Sequence, residues 1–105
     1  MMTLCIRYRF KPDRLADIRE YFETEQPVIE RNGGKIVGYF LPTDFAGPTD
    51  QAIGLIDIPS MAAYEEYRNR LADDPEHKAN ITRLEESGAA VAMDRWFIRR
   101  VEPRR

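Results

Sequence analysis

Few side chains in this sequence are suited to acid–base or metal chemistry. His77 is the only histidine among 105 residues, and Cys5 is the only cysteine. A histidine titrates near neutral pH and can act as a general base. However, His77 shares a helical face with Ile81 and Leu84, which favours a packed or rim position. Because a catalytic zinc site needs three protein ligands, we expect no bound metal.

Charged and tyrosine side chains on predicted strands form a second group of candidates. Arg7 alternates with apolar residues, so it should point away from the helices and needs a partner if it is sheltered. Asp57 and Asp94 could supply that partner as an ion pair. Alternatively, Arg7, helped by Tyr39, binds the acidic group of a small ligand through its forked donors. The ligand-binding candidates are therefore Arg7, Tyr39, His77, Asp57 and Asp94, while the catalytic residues stay unassigned.

Composition and charge exclude several classes of partner. The chain has 16 lysines and arginines against 18 aspartates and glutamates, and its formal net charge is −2. This balance gives no electrostatic footprint for nucleic acid or for an anionic membrane. No apolar run approaches the roughly 20 residues that span a bilayer, and no secretory signal is visible. By elimination, we expect a cytoplasmic protein.

Four segments have the alternation and the β-branched or aromatic content of strands. They are residues 3–10, 35–41, 51–58 and 90–101. The last should be the longest. On the first strand, the apolar residues at positions 4, 6, 8 and 10 should meet the helices. The other strands are apolar on both sides, which leaves the opposite assignment of faces open. Gly54, in the middle of the third strand, indicates a bulge or a close approach.

Three segments follow helical spacing. The first ends at residues 32–34, because glycine adopts the left-handed C′ position at little cost. Pro27 lies inside it and is expected to kink or break the helix. Ser60 and Asp74 are the predicted N-caps of the next two helices, and Gly88 should end the last one. The stripe predicted for the first helix consists of Leu15, Ile18, Phe22, Gln26 and Ile29.

The resulting order, β-α-β-β-α-α-β, predicts a single α+β domain over residues 1–105. It is the ferredoxin-like βαββαβ fold with an extra helix and a four-stranded antiparallel sheet. The helices cover one face of this sheet. Strands that are apolar on both sides need cover on both sides, and no further element is available. We therefore expect two copies to pack sheet to sheet as a homodimer, a dimeric α+β barrel.

Several pieces of the chain, in order, resemble the NIPSNAP family of the dimeric α+β barrel superfamily. They are Tyr8 to Pro12 with Leu15, residues 30–39, Gly47-Pro48 with Asp50-Gln51, and residues 73–76. The resemblance implies the same fold and a dimer. The family often carries a histidine and then a tryptophan where this chain has Gly54 and Ile56.

The sequence leaves two functions open. The first is a small-molecule-binding or weakly catalytic homodimeric barrel with a pocket between sheet and helices. Any activity would be monooxygenase-like or isomerase-like, with no bound cofactor and with a small acidic ligand. The second is a non-enzymatic interaction or regulatory protein. No nucleophile–base pair stands at a recognisable spacing, whereas charged residues on strands favour an enclosed polar site.

Overall fold

Four antiparallel strands form one sheet in the computed structural model, which describes residues 1–105. The strands are β1 (Met2–Phe10), β2 (Lys35–Phe40), β3 (Gln51–Ile58) and β4 (Ala90–Ile98). Their order in the sheet is β2-β3-β1-β4, which confirms the ferredoxin-like α+β fold. The final strand ends at Ile98 and not at residue 101, and with nine residues it equals β1 in length. It is therefore not the longest strand.

Three helices connect and cover the strands. They are α1 (Leu15–Arg31), α2 (Met61–Asp73) and α3 (Pro75–Ser87), and a short 3-10 helix, Pro12–Arg14, precedes α1. The helix α1 continues through Pro27, so the expected break is absent. Packing of its apolar stripe on the sheet stabilises α1 more than one missing hydrogen bond weakens it. None of the three helices combines the length and the hydropathy needed to cross a bilayer.

The predicted helix caps are confirmed. The Ser60 hydroxyl accepts a hydrogen bond from the backbone N–H of Ala63 at 3.1 Å. The Asp74 carboxylate accepts from the backbone N–H of Glu76 at 3.0 Å, and Arg31 donates to it as well, so Asp74 ties α3 to the end of α1. These bonds hold the pKa of Asp74 far below its usual range, chiefly through Arg31.

The helices cover one face of the sheet, and the hydrophobic core lies between the helices and this face. As predicted, the even-numbered side of β1 meets the helices, where its side chains are at most 5% exposed. Those side chains are Leu4, Ile6, Tyr8 and Phe10. From α1, the core receives Ile18, Phe22, Val28 and Ile29, and from α2 and α3 it receives Tyr67, Leu71 and Leu84.

A bulge in β2 changes which of its residues share a face. The register with β3 shifts between Ile36 and Gly38, so the strand does not alternate regularly. Ile36 and Tyr39 pack against the core, whereas Phe40 is exposed beside Ile53. Ile36 and Phe40, which regular alternation would place on the same face, therefore lie on opposite faces. The bulge lies in β2, and Gly54 occupies a regular position of β3.

Candidate functional site

A small cavity lies between the sheet and the three helices. Its volume is about 20 Å³, which is room for one water molecule. Its apolar wall comes from Leu4, Ile6, Ile29 and Leu71. The rest of the lining is polar and consists of four tyrosines, one glutamate, one histidine and two arginines. Such a concentration of titratable groups inside a small core is a candidate functional site.

A buried carboxylate and an imidazole lie at the centre of this lining. Glu25, on α1, is 2% exposed, and its Oε2 lies 2.5 Å from Nδ1 of His77 on α3. The amide of Asn80 donates to Oε1 at 3.0 Å. The hydroxyl of Tyr21 donates to Oε2 at 3.4 Å. A buried carboxylate needs such partners, and here both of its oxygens have them.

Helical spacing places these groups. Glu25 comes three residues after Phe22 and four before Ile29, so it lies on the buried stripe of α1. His77 and Asn80 are three apart on α3, so both face α1. The ring of His77 is mostly buried, with 19% of its side chain exposed. Its Nε2 forms no hydrogen bond with the protein, whereas Nδ1 is held by Glu25.

Tyr39 contributes a hydroxyl without a partner. Its oxygen is buried and has no partner at hydrogen-bond distance, while the neighbouring Tyr8 hydroxyl adds to the effect of burial in raising the pKa of Tyr39. The ring packs edge-on against Phe22, with 4.7 Å between ring centroids. It also lies directly over Gly54, where an added Cβ would stand 2.6 Å from ring atoms Cε2 and Cζ. Gly54 therefore provides the space that the Tyr39 ring fills, which explains the close approach expected there.

The tyrosines of the cavity remain protonated at neutral pH. Burial is the largest cause that raises the pKa of Tyr8, Tyr21, Tyr39 and Tyr67. The negative charge of Glu25 adds to the raised pKa of Tyr21 and Tyr67. Apart from Tyr21, which already donates to Glu25, these tyrosines can therefore donate hydrogen bonds to a group that enters the cavity.

Two arginines complete the lining. Arg68 on α2 and Arg95 on β4 are both exposed, and both border the cavity. Neither lies within 4.0 Å of a carboxylate, whereas eight other ion pairs are present in the structure. The cavity therefore has an acidic interior at Glu25 and a basic rim.

Comparison with known proteins gives the family. The sequence model of NIPSNAP matches residues 3–103. This chain belongs to the NIPSNAP family. A search of curated proteins finds no match to it.

Solved structures agree with that assignment. A NIPSNAP family protein from Agrobacterium tumefaciens is 25% identical, with a TM-score of 0.78, and the match covers 97% of this chain and 95% of the other. An uncharacterised NIPSNAP domain protein from Burkholderia xenovorans is 16% identical, with a TM-score of 0.79 and coverage of 96% and 95%. A putative antibiotic biosynthesis monooxygenase from Nitrosomonas europaea is 8% identical, with a TM-score of 0.72 and coverage of 97% and 100%. The last likeness concerns the fold alone.

The structure of this NIPSNAP protein divides the predicted candidates between the two faces of the sheet. His77 and Tyr39 line the same cavity on the helix side. Arg7 lies on the open face and does not line it. There, its guanidinium pairs with Asp94 at 3.0 Å. In the single chain, Arg7 therefore forms one of the two ion pairs that the sequence offered. Arg7 and Tyr39 are not brought together, and the binding of a ligand by Arg7 stays a prediction.

Asp57 lies farther along the open face of the NIPSNAP sheet. It is buried and accepts a hydrogen bond from the Thr3 hydroxyl at 2.6 Å. Arg100 approaches it at 3.5 Å. Asp57 thus pairs with these two residues and not with Arg7.

Sequence reasoning missed the carboxylate at the centre of the NIPSNAP site. Gln26 was assigned to the stripe of α1, but its side chain is only partly buried and donates to the backbone of Phe22. Glu25 takes that place. The spacing of Glu25 to Phe22 and Ile29 indicates that it lies on the buried face of α1. Its charge, by contrast, favours an exposed position. Asn80, the tyrosines at 8, 21 and 67, and the arginines at 68 and 95 were also not predicted.

Proposed function

We propose that this NIPSNAP protein binds a small organic molecule between its sheet and helices and transfers a proton on it without a bound cofactor. The observation that carries the proposal is the buried Glu25–His77 pair beside the unpartnered hydroxyl of Tyr39. A buried acid–base pair needs a reason to persist in a small core, and proton transfer gives one.

The geometry gives each residue a role. A carboxylate oxygen accepts in its contact with an imidazole, so the hydrogen of the Glu25–His77 contact is assigned to Nδ1. Nε2 then has a lone pair that can take a proton from a carbon next to a carbonyl group. Glu25 stabilises the imidazolium that forms.

Tyr39 acts on the other end of the same reaction. When the C–H bond breaks, its electron pair forms the carbon–carbon double bond of an enolate, and negative charge develops on the carbonyl oxygen. A hydroxyl that already lies in the cavity without a partner can donate to that oxygen. Return of the proton to a carbon of the enolate completes an isomerase-like cycle, in which no electrons are gained or lost.

The size of the cavity limits this reaction. Room for one water molecule admits only the reacting end of a substrate. Entry of anything larger requires side chains at the rim to move. Arg68 and Arg95 are exposed and form no ion pairs, so they can move at little cost.

A second candidate follows from the fold shared with a putative antibiotic biosynthesis monooxygenase. The same proton removal gives a carbanion that can react with O2. The balanced outcome is conversion of an activated CH2 group and O2 into a carbonyl group and water. Oxygen consumption would separate this candidate from isomerisation.

We also propose that the protein is a homodimer. The open sheet face carries apolar side chains that the chain itself leaves partly uncovered. The strand register places these side chains on the same face as the odd-numbered residues of β1. They are Phe40, Ile53, Leu55, Trp96 and Ile98. A second copy of the same face would cover them.

Exchange of carbon-bound hydrogen tests the proton transfer. The purified protein is incubated in D2O with butanone or with 2-oxobutanoate, and loss of the signal of protons next to the carbonyl is followed by NMR. We expect exchange above buffer with at least one probe. The variants Glu25→Gln and His77→Gln should lower the rate by about 100-fold or more.

Lys78→Gln is the matched control, because Lys78 is exposed on the same helix as His77 and does not line the cavity. Its rate should equal that of the wild type. Exchange that is absent with both probes, or unchanged in His77→Gln, contradicts the proposal and favours a non-enzymatic interaction protein.

A further inference from the structure

The charges around the cavity indicate the kind of molecule it accepts. Glu25 is the only carboxylate that lines it, while Arg68 and Arg95 both border it. Two guanidiniums therefore outnumber one carboxylate. Apart from His77, the formal net charge around the space is +1.

We infer that the ligand is a small carboxylic acid with an oxo group, whose carboxylate binds Arg68 and Arg95 at the rim and whose oxo oxygen meets the hydroxyl of Tyr39. This inference rests on the proposed proton transfer, since it names the substrate of the same site.

Arg68 and Arg95 can bind the carboxylate of a ligand because neither forms an ion pair within the protein. Arg31 and Arg70, by contrast, pair with Asp74 and Glu66 at 2.8 and 2.5 Å. Arg68 and Arg95 have no carboxylate to release before they bind an anion. A guanidinium also offers paired donors that match a carboxylate, which makes such contacts shorter and stronger than neutral ones.

Arg95 is also needed to let an anion approach. The negative charge of Glu25 would repel a carboxylate that entered alone. Arg95 lies close enough to the tyrosine hydroxyls to lower the pKa of Tyr8, Tyr21 and Tyr67, opposing the larger effect of burial. Its charge therefore acts in the same space as that of Glu25 and offsets the repulsion.

The interior sets the size and the second functional group. The space that these residues line holds about one water molecule, which matches an oxo oxygen or a methyl group. The buried Tyr39 hydroxyl has no partner at hydrogen-bond distance, and an oxo oxygen would provide an acceptor. A short oxo acid offers a carboxylate to the arginines and an oxo oxygen to Tyr39.

Binding measurements on the full chain test this inference. Affinities for 2-oxobutanoate and for butanone, which share a chain length and a carbonyl group, are compared by NMR titration. We expect 2-oxobutanoate to bind at least about tenfold tighter, with a preference that declines as salt is added. Arg95→Met and Arg68→Met should each weaken 2-oxobutanoate about tenfold or more and leave butanone unchanged.

Arg19→Met is the control, because Arg19 is exposed on α1, forms no ion pair and lies outside the cavity. Arg95→Lys keeps the positive charge. If this variant retains the wild-type melting temperature and part of the affinity for 2-oxobutanoate, misfolding is excluded as the cause of the weaker binding in Arg95→Met. Equal affinities for the two probes overturn the inference, as does a loss in Arg95→Met no larger than in Arg19→Met. Tight, arginine-dependent binding of 2-oxobutanoate without hydrogen exchange would support the ligand class and refute the proton transfer.

Discussion

Nδ1 of His77 lies 2.5 Å from Oε2 of Glu25, across 52 positions of sequence. The contact joins α3 to α1 inside the core, so it serves the fold as well as any chemistry. Loss of either partner would leave the other buried without its hydrogen bond, which costs stability by itself. Substitutions of Glu25 or His77 therefore change both the stability of the fold and the rate of proton transfer. Tyr39 separates the effect on stability from the effect on chemistry, because its buried hydroxyl has no partner at hydrogen-bond distance.

Tyr39→Phe should stabilise the protein slightly while it impairs proton transfer. Removal of an unsatisfied buried hydroxyl is expected to raise the free energy of unfolding by about 1 kcal/mol. Loss of a donor to the developing oxyanion should slow exchange by about 100-fold. Urea unfolding at pH 7 and the exchange assay measure the two quantities. A variant that is less stable than the wild type would mean that the hydroxyl has a structural partner, such as a bound water.

Gly54→Ala should destabilise the protein through a clash with the Tyr39 ring. The added Cβ would stand 2.6 Å from the ring, which is held by Phe22 and Tyr8 and has little room to move. Overpacking of this kind costs about 1–3 kcal/mol. In a Tyr39→Leu background the same change should cost much less. Additive costs in this double-mutant cycle would contradict the role assigned to Gly54.

Local signals in the sequence were enough for the elements and for their order. Ser60, Asp74 and Gly88 each act within a few residues of their own position, and all three were predicted correctly. The bulge in β2 depends on pairing between Gly38 and Leu55 on another strand, so alternation alone did not reveal it. Continuity of α1 through Pro27 likewise depends on packing against the sheet.

The candidate site was predicted only in part, for a similar reason. His77 and Tyr39 were singled out by residue type, and the structure places both in the cavity. A glutamate on a helix ordinarily faces water, and Glu25 is buried only because partners arrive from α3. Arg7 has no such partner on the helix side. Its pairing with Asp94 follows from strand register, which puts the two residues directly opposite each other.

Alkaline pH should unfold the protein steeply because of its buried tyrosines. Tyr8, Tyr21, Tyr39 and Tyr67 have raised pKa values in the folded chain. Above the unfolded pKa of about 10, the unfolded state loses protons that the folded state keeps, so stability is present below that pH and falls as pH rises. The fall in stability caused by each tyrosine approaches about 1.4 kcal/mol per pH unit above about pH 11 and is about half as steep at about pH 10. Urea titrations between about pH 9 and about pH 12 measure this fall.

Tyr39→Phe provides the comparison for this slope. The variant lacks one of the four hydroxyls, so above about pH 11 its stability should decline by about 1.4 kcal/mol less per pH unit than that of the wild type. Equal slopes would show that Tyr39 ionises as readily in the folded chain as in the unfolded one. That result would contradict the buried position of its hydroxyl.

Trp96 should determine whether the open sheet faces associate. It is 41% exposed in the single chain, where it pairs with Cys5 and contacts the guanidinium of Arg7. In the proposed homodimer it would be covered, and large aromatic side chains dominate such interfaces. Light scattering after size exclusion should give twice the chain mass of 12.3 kDa for the wild type. Trp96→Ala should weaken association by about 2 kcal/mol or more and shift the mass toward the monomer at low concentration.

Phe45→Ala is the control for Trp96→Ala. Phe45 is 96% exposed in the connection between β2 and β3 and belongs to no strand of the sheet, so its removal should leave the dimer intact. Equal effects of the two substitutions would remove Trp96 from the interface. A wild-type mass of one chain at micromolar concentration would refute the homodimer itself. The proton-transfer proposal would survive that result, because every residue assigned to the cavity belongs to a single chain.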